Sequence, residues 1–264
     1  MWYVAVAAGS FRRYATYRAA TAAGLVTNTV FGFLLASAYT ALWQQRPHLG
    51  GYGPAQALTF VWAGQALLAA AQVGVGGVAE LQERIRSGDI AVDLHRPADL
   101  QLWWLAADLG RAALQLIGRG AVPLAVGALA FPLALPDSPL TWGWFVLSAM
   151  LGAVVGFALR YLVALSGFWL LDSSGPAMVS ALAGLFFSGM LLPLRVFPGG
   201  LADLAQLLPW AALLQVPADV LTGARSGGAL LRGLAFQAAW AAALLALGRL
   251  VQAAATRKAV VHGG

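Results

Sequence analysis

Charged residues are too widely spaced in this chain for it to fold in water. No Asp, Glu, Lys or Arg occurs between Arg18 and Arg46, between Arg46 and Glu80, between Asp137 and Arg160, or between Asp172 and Arg195. Each interval exceeds the roughly 20 residues that carry an α-helix across the hydrocarbon core of a bilayer. Inside that core no water is available to the backbone, and a helix satisfies its N–H and C=O groups within one segment. Composition points the same way. Of the 264 residues, 60% are hydrophobic and 10% charged, with a mean hydropathy of +0.76, whereas a soluble domain carries about 25% charged residues. A water-soluble fold is excluded and an all-α membrane protein is expected.

The charge-free intervals, with two less clean ones, predict six transmembrane helices over about 21–43, 56–79, 101–131, 141–171, 176–194 and 229–251, forming one transmembrane domain over 1–264. The third contains Asp108, Arg111 and Arg119, and the sixth has Arg232 and Arg249 near its ends, where long side chains can reach the interface. With both termini inside, the inner segments hold nine basic residues (Arg12, Arg13, Arg18, Arg84, Arg86, Arg96, Arg249, Arg257 and Lys258). The outer ones hold four (Arg46, Arg195, Arg225 and Arg232). The positive-inside rule therefore favours cytoplasmic termini in a bacterial-type inner membrane. Residues 1–20 place Phe11, Tyr14 and Tyr17 at three-residue spacing beside Arg12, Arg13 and Arg18, which suits an interfacial helix in the headgroup plane. The alternative is an ordinary cytoplasmic flank of the first span.

Two stretches depart from lipid-facing helix. Residues 80–100 form the one substantial polar loop, with Glu83, Arg84, Arg86, Asp89, Asp93 and Arg96 interleaved with Leu81, Ile85, Ile90, Val92 and Leu94. Ser87-Gly88 supplies a helix stop, Asp89 is placed to cap a short second helix, and Pro97 with Asp99 marks the start of the next span. The result is a helix-turn-helix elbow with charges to present and apolar residues to bury. Residues 188–223 are punctuated by Pro193, Pro198, Pro209 and Pro217, and the apolar pieces between them are too short to cross a bilayer. This pattern predicts a re-entrant helical segment between helices 5 and 6, shielded by protein or lining a water-filled cavity.

Chemistry that would mark an enzyme is missing. His48, His95 and His262 are scattered, no G-x-S-x-G or GxxxxGK[ST] occurs, and cysteine is absent. No catalytic residue, metal site or cofactor is assigned to this chain, and no basic stripe with interleaved aromatics suggests nucleic acid. Asp108 and Arg111 can pair at i,i+3. Arg119 and Arg160 have no partner nearby in sequence. An intramembrane Arg costs at least about 2.5 kcal/mol, so two readings stay open for them, lining a substrate pathway or pairing with another helix.

These features together resemble the permease subunit of ABC-2 type ABC transporters, the small six-helix subunit usually encoded as two related permeases beside one ATPase. The resemblance rests on E-R-I-R-S-G-D-I-A-V-D-L-H-R-P (Glu83 to Pro97) after the second span, F-S-G-M-L-L-P-L-R-V-F-P (Phe187 to Pro198) leaving the fifth, L-L-P-W (Leu207 to Trp210) and V-P-A-D-V-L-T-G (Val216 to Gly223). His95 stands where the family usually has leucine. The resemblance implies that residues 80–100 are a coupling segment docking on a separate nucleotide-binding ATPase subunit through Glu83, Arg84, Arg86, Asp89, Asp93 and Arg96. It implies further that ATP and Mg bind that partner, that residues 188–223 close the outer mouth, and that a second permease, identical or related, completes an exporter. A self-contained secondary transporter or channel, with a discontinuous-helix site at 201–216, is the competing reading.

Overall fold

The computed structural model describes residues 2–73, 79–95, 97–170 and 173–262; among them every regular element is helical. In chain order these are α1 (Trp2–Ala15), α2 (Arg18–Gln45), α3 (Pro54–Ala71), α4 (Ala79–Ser87), α5 (Ile90–Leu94), α6 (Leu100–Gln115), α7 (Ala121–Ala130), α8 (Pro139–Leu165), α9 (Ser174–Phe187), α10 (Gly200–Leu207), α11 (Gln215–Leu221) and α12 (Gly227–His262). A π turn at Leu116–Gly120 joins α6 to α7, so the two form one long rod.

The helix ends follow local chemistry. Asp99 caps α6, its Oδ1 accepting from Leu102 N at 2.8 Å. Pro54 and Pro139 occupy the first turns of α3 and α8, where the missing N–H goes unused. Gln56 Oε1 accepts from Gly53 N at 3.0 Å and closes the start of α3, and Gln72, at φ 49°, ends it in the left-handed region.

Among the described residues, four helices are long and apolar enough to cross a membrane: Arg18–Gln45, Leu100–Ala130, Pro139–Phe168 and Gly227–Arg257. They coincide with four of the six expected spans. The other two are shorter. α3 has 18 residues, about 27 Å at 1.5 Å per residue, and Gln56 and Gln65 dilute its hydropathy. It ends at Ala71 rather than continuing to residue 79. The expected fifth span ends as α9 at Phe187, after 14 residues, and the chain then turns irregular. The pair Gly200–Leu207 and Pro209–Leu221 is bent by 68°.

The core forms around α3 and α8. Trp62 of α3 is fully buried, with Gly32 of α2 and Gly127 of α7 so close that a Cβ on either would meet the indole at 2.5 or 2.3 Å. α8 is approached as closely: a Cβ on Gly152 would lie 2.7 Å from the Ala212 carbonyl, and one on Gly156 would lie 2.8 Å from that of Ala71. The outward faces carry exposed apolar residues, among them Val30, Phe31 and Leu34 on α2, Val179 and Phe186 on α9, and Leu250 on α12. Small residues at contacts and large ones facing out are what helices packed in lipid require, because burial from water does not drive their association.

α1 packs on α6, with Tyr3, Val6, Ala7, Ser10, Phe11 and Tyr14 half-buried, while Trp2 and Val4 stay exposed. The approach is closest at Gly110, where an added Cβ would lie 2.0 Å from the Ala7 carbonyl oxygen. Gly110→Leu is expected to cost about 1–3 kcal/mol through overpacking and to lift α1 away. The chain has no cysteine, so a single Val6→Cys reporter checks this cleanly. Maleimide labelling should rise when Gly110→Leu is added; unchanged labelling would refute the contact.

Candidate functional site

The elbow is built as the residue pattern suggests, but its charges divide into two kinds. α4 ends at Ser87, Gly88 turns at φ +84°, and α5 follows at once. A positive φ is cheap for glycine alone. Leu81 and Ile90 are buried against Phe157, Tyr161, Ala164 and Leu165 of α8, with Ile85 and Leu94 partly covered. Val92, expected on the buried side, is 60% exposed. Arg84 grips Asp93 with both ends of its guanidinium, Nε to Oδ2 at 2.5 Å and Nη2 to Oδ1 at 3.0 Å. Asp93 is buried and Arg84 is partly so, so this pair ties the two arms of the elbow together. Glu83 and Arg86 instead face outward and pair with each other at 2.7 Å; the hydrogen bonds from Arg86 hold the Glu83 carboxyl below its usual range. Asp89 is exposed and does not cap α5; its Oδ2 accepts from Ser87 Oγ at 3.0 Å. Arg96 lies outside the described residues.

Beyond the elbow lies a buried ionic cluster. Asp108 Oδ1 accepts from Arg111 Nε at 2.9 Å, the i,i+3 pair expected, and its Oδ2 accepts from Arg160 Nη2 of α8 at 3.0 Å. Both arginines also reach the last turn of α3. Arg111 donates to the carbonyls of Ala69 (2.8 Å) and Ala70 (3.0 Å), and Arg160 to that of Ala71 (2.7 Å). Those carbonyls are the unpaired, negative end of a helix. Three helices are therefore locked at one level by one carboxylate and two guanidiniums, all buried. Arg160 is committed to this lock. Arg119 is not: it stands in the π turn against Gly24 of α2, half-buried, and its Nε has no hydrogen-bond partner among the described residues.

At the opposite end, residues 188–223 contain the feature that sequence reasoning passed over. α11 is buried along its whole length, and Asp219 within it is 0% exposed. Its Oδ2 accepts from Arg195 Nη2 and from Arg225 Nε, each at 3.0 Å. Oδ1 accepts from Gln215 Nε2 at 3.0 Å and, in a very short bond, from the Tyr52 hydroxyl. Burial, then the charge of Asp219, hold the Tyr52 phenol well above its usual range, so it remains a donor. Gln215 Oε1 accepts from Leu194 N at 2.7 Å. The network thus joins the loop before α3, the turn at Leu194–Val196, α11 and the chain leaving it. The signal in the sequence was a lone Asp inside the apolar run V-P-A-D-V.

The four prolines punctuate this segment as expected. Pro193 precedes the turn at Leu194–Val196, Pro198 leads into α10, Pro209 opens the turn at Pro209–Ala212, and Pro217 sits in the first turn of α11. Side chains of the long helices satisfy the irregular backbone between them. Tyr39 Oη donates to Leu191 O (3.0 Å), Trp240 Nε1 to Leu207 O (3.1 Å), and Gln237 Nε2 to Ala212 O (2.8 Å). Buried backbone polar groups need such partners.

A family model described as ABC-2 family transporter protein matches residues 27–263. No curated protein matches the chain.

Proposed function

The chain belongs to the ABC-2 transporter family, and on that premise we propose that it is the permease subunit of an ATP-driven exporter, providing the path for a substrate and docking a separate ATPase subunit. In this reading α2, α3, the α6–α7 rod, α8, α9 and α12 are six crossings, both termini are cytoplasmic, α1 rides at the inner interface, and residues 188–223 re-enter from the outer face. ATP and Mg bind the ATPase, and a second permease, identical or related, completes the path at their shared face.

The observation that carries this reading is the division of labour in the elbow. It is bolted to α8 by Leu81 and Ile90 and braced internally by Arg84–Asp93, while Glu83, Arg86, Asp89 and Val92 remain free of the bundle. A rigidly mounted, mixed-charge handle on a bundle with no nucleotide-binding loop suits a partner that supplies the motion. Arg86→Glu, tested with the co-expressed ATPase, is expected to lower transport-coupled ATP hydrolysis about tenfold, equivalent to about 1.4 kcal/mol of lost docking, with thermal stability unchanged. Arg84→Ala should lower both coupling and stability, because it unbraces the elbow. Coupled hydrolysis at the wild-type rate in Arg86→Glu would remove the docking assignment.

A further inference from the structure

We propose that the crevice between α1, α2, the end of α3 and the α6–α7 rod is a binding site for the phosphate headgroup of an anionic membrane lipid. Three guanidiniums reach this crevice of about 530 Å³, those of Arg13, Arg111 and Arg119, and no carboxylate lines it among the described residues. Two of the three are already engaged, Arg13 by Glu80 at 3.3 Å and Arg111 by Asp108 and the carbonyls of Ala69 and Ala70. Arg119 has no such partner among the described residues. Its charge stands in the apolar rod, in a π turn, a distortion that often marks functional positions. An unpaired cation at that depth calls for an anion.

The surroundings specify a lipid rather than a free anion. Arg119 lies eight residues beyond Arg111, about 12 Å along the helix, and is flanked on the rod by exposed Ile117 and Val122. Tyr14 and Tyr17 stand at the mouth of the crevice, as amphipathic rings do at headgroup level. A phosphodiester can thus sit against the Arg119 guanidinium while its acyl chains run along the apolar rod. The proposed orientation bears on this only by assigning the lipid to the inner leaflet.

The test uses the full chain alone, so its outcome is independent of the ATPase reading. The protein is equilibrated with an equimolar mixture of phosphatidylglycerol and phosphatidylcholine, and the retained lipid is weighed by native mass spectrometry. The wild type should retain phosphatidylglycerol preferentially. Arg119→Gln should cut that preference about fivefold, the share of one basic residue at an anionic surface. Gly24→Ala provides a second variant that keeps the charge but moves it, because its Cβ would fall about 2.0 Å from Arg119 Nη2; it should weaken the preference as well. No phosphatidylglycerol preference in the wild type, or one untouched by both variants, overturns the proposal. Displacement of the lipid by excess inorganic phosphate would show a site for the free ion, and the lipid assignment would fall.

Discussion

Asp219→Ala is expected to loosen the whole proline-punctuated segment and to destabilise the protein by about 3 kcal/mol or more, the scale for removing one partner of a buried ion pair. The side chain accepts from four groups, and each is left wanting. Arg195 and Arg225 are partly exposed, 29% and 19%, and can turn toward water. Tyr52 and Gln215 cannot. Asp219→Asn, which keeps an acceptor but no charge, should do less damage. Thermal unfolding in mild detergent measures the loss, and protease cleavage near Gly199–Gly200, an exposed turn, locates it. If Asp219→Ala unfolds within about 0.5 kcal/mol of the wild type, as a surface change would, the network is ornamental.

The second large effect is expected at the other end. Asp108→Ala leaves two arginines buried side by side, 3% and 7% exposed, held only by the α3 carbonyls. Loss of about 3–5 kcal/mol is the expectation. Removing Arg160 as well should return part of it. In a double-mutant cycle with Asp108→Leu and Arg160→Leu, coupling of up to about 3 kcal/mol is expected for groups in direct contact. Zero coupling would mean that the 3.0 Å pair contributes nothing and that Arg160 answers only to Ala71.

Local rules fixed much of this fold in advance. The charge-free intervals mark α2 and α8, Gly88 and Asp99 mark the end of one helix and the start of another, and the Asp108–Arg111 spacing already states a pair. What stayed hidden depends on distance in sequence. Arg160 finds its carboxylate 52 residues away, and Tyr52 meets Asp219 across 167; no periodicity reports such meetings. Asp89 shows a subtler failure. Its position suggests a cap, but the tight turn at Gly88 puts it in a helical conformation, φ −63° and ψ −14°, in which Ser87 Oγ becomes its partner. The small residues after Ala71 read as apolar helix, whereas the left-handed Gln72 ends α3. In the elbow the charges are legible in the sequence but their roles are not, since nothing in the string separates the brace, Arg84 and Asp93, from the outward pair, Glu83 and Arg86.

α8 packs against α3, α4, α6, α9, α11 and α12. Its 27 residues form a rod about 40 Å long. Near one end Phe157 and Tyr161 seat the elbow, Arg160 enters the ionic lock, and further along Gly152 lies against the Ala212 carbonyl beside the buried α11. At Gly152 and Gly156 there is no side chain to act as a cushion; backbone bears on backbone. Contact of that kind leaves these helices little room to slide past one another without moving together.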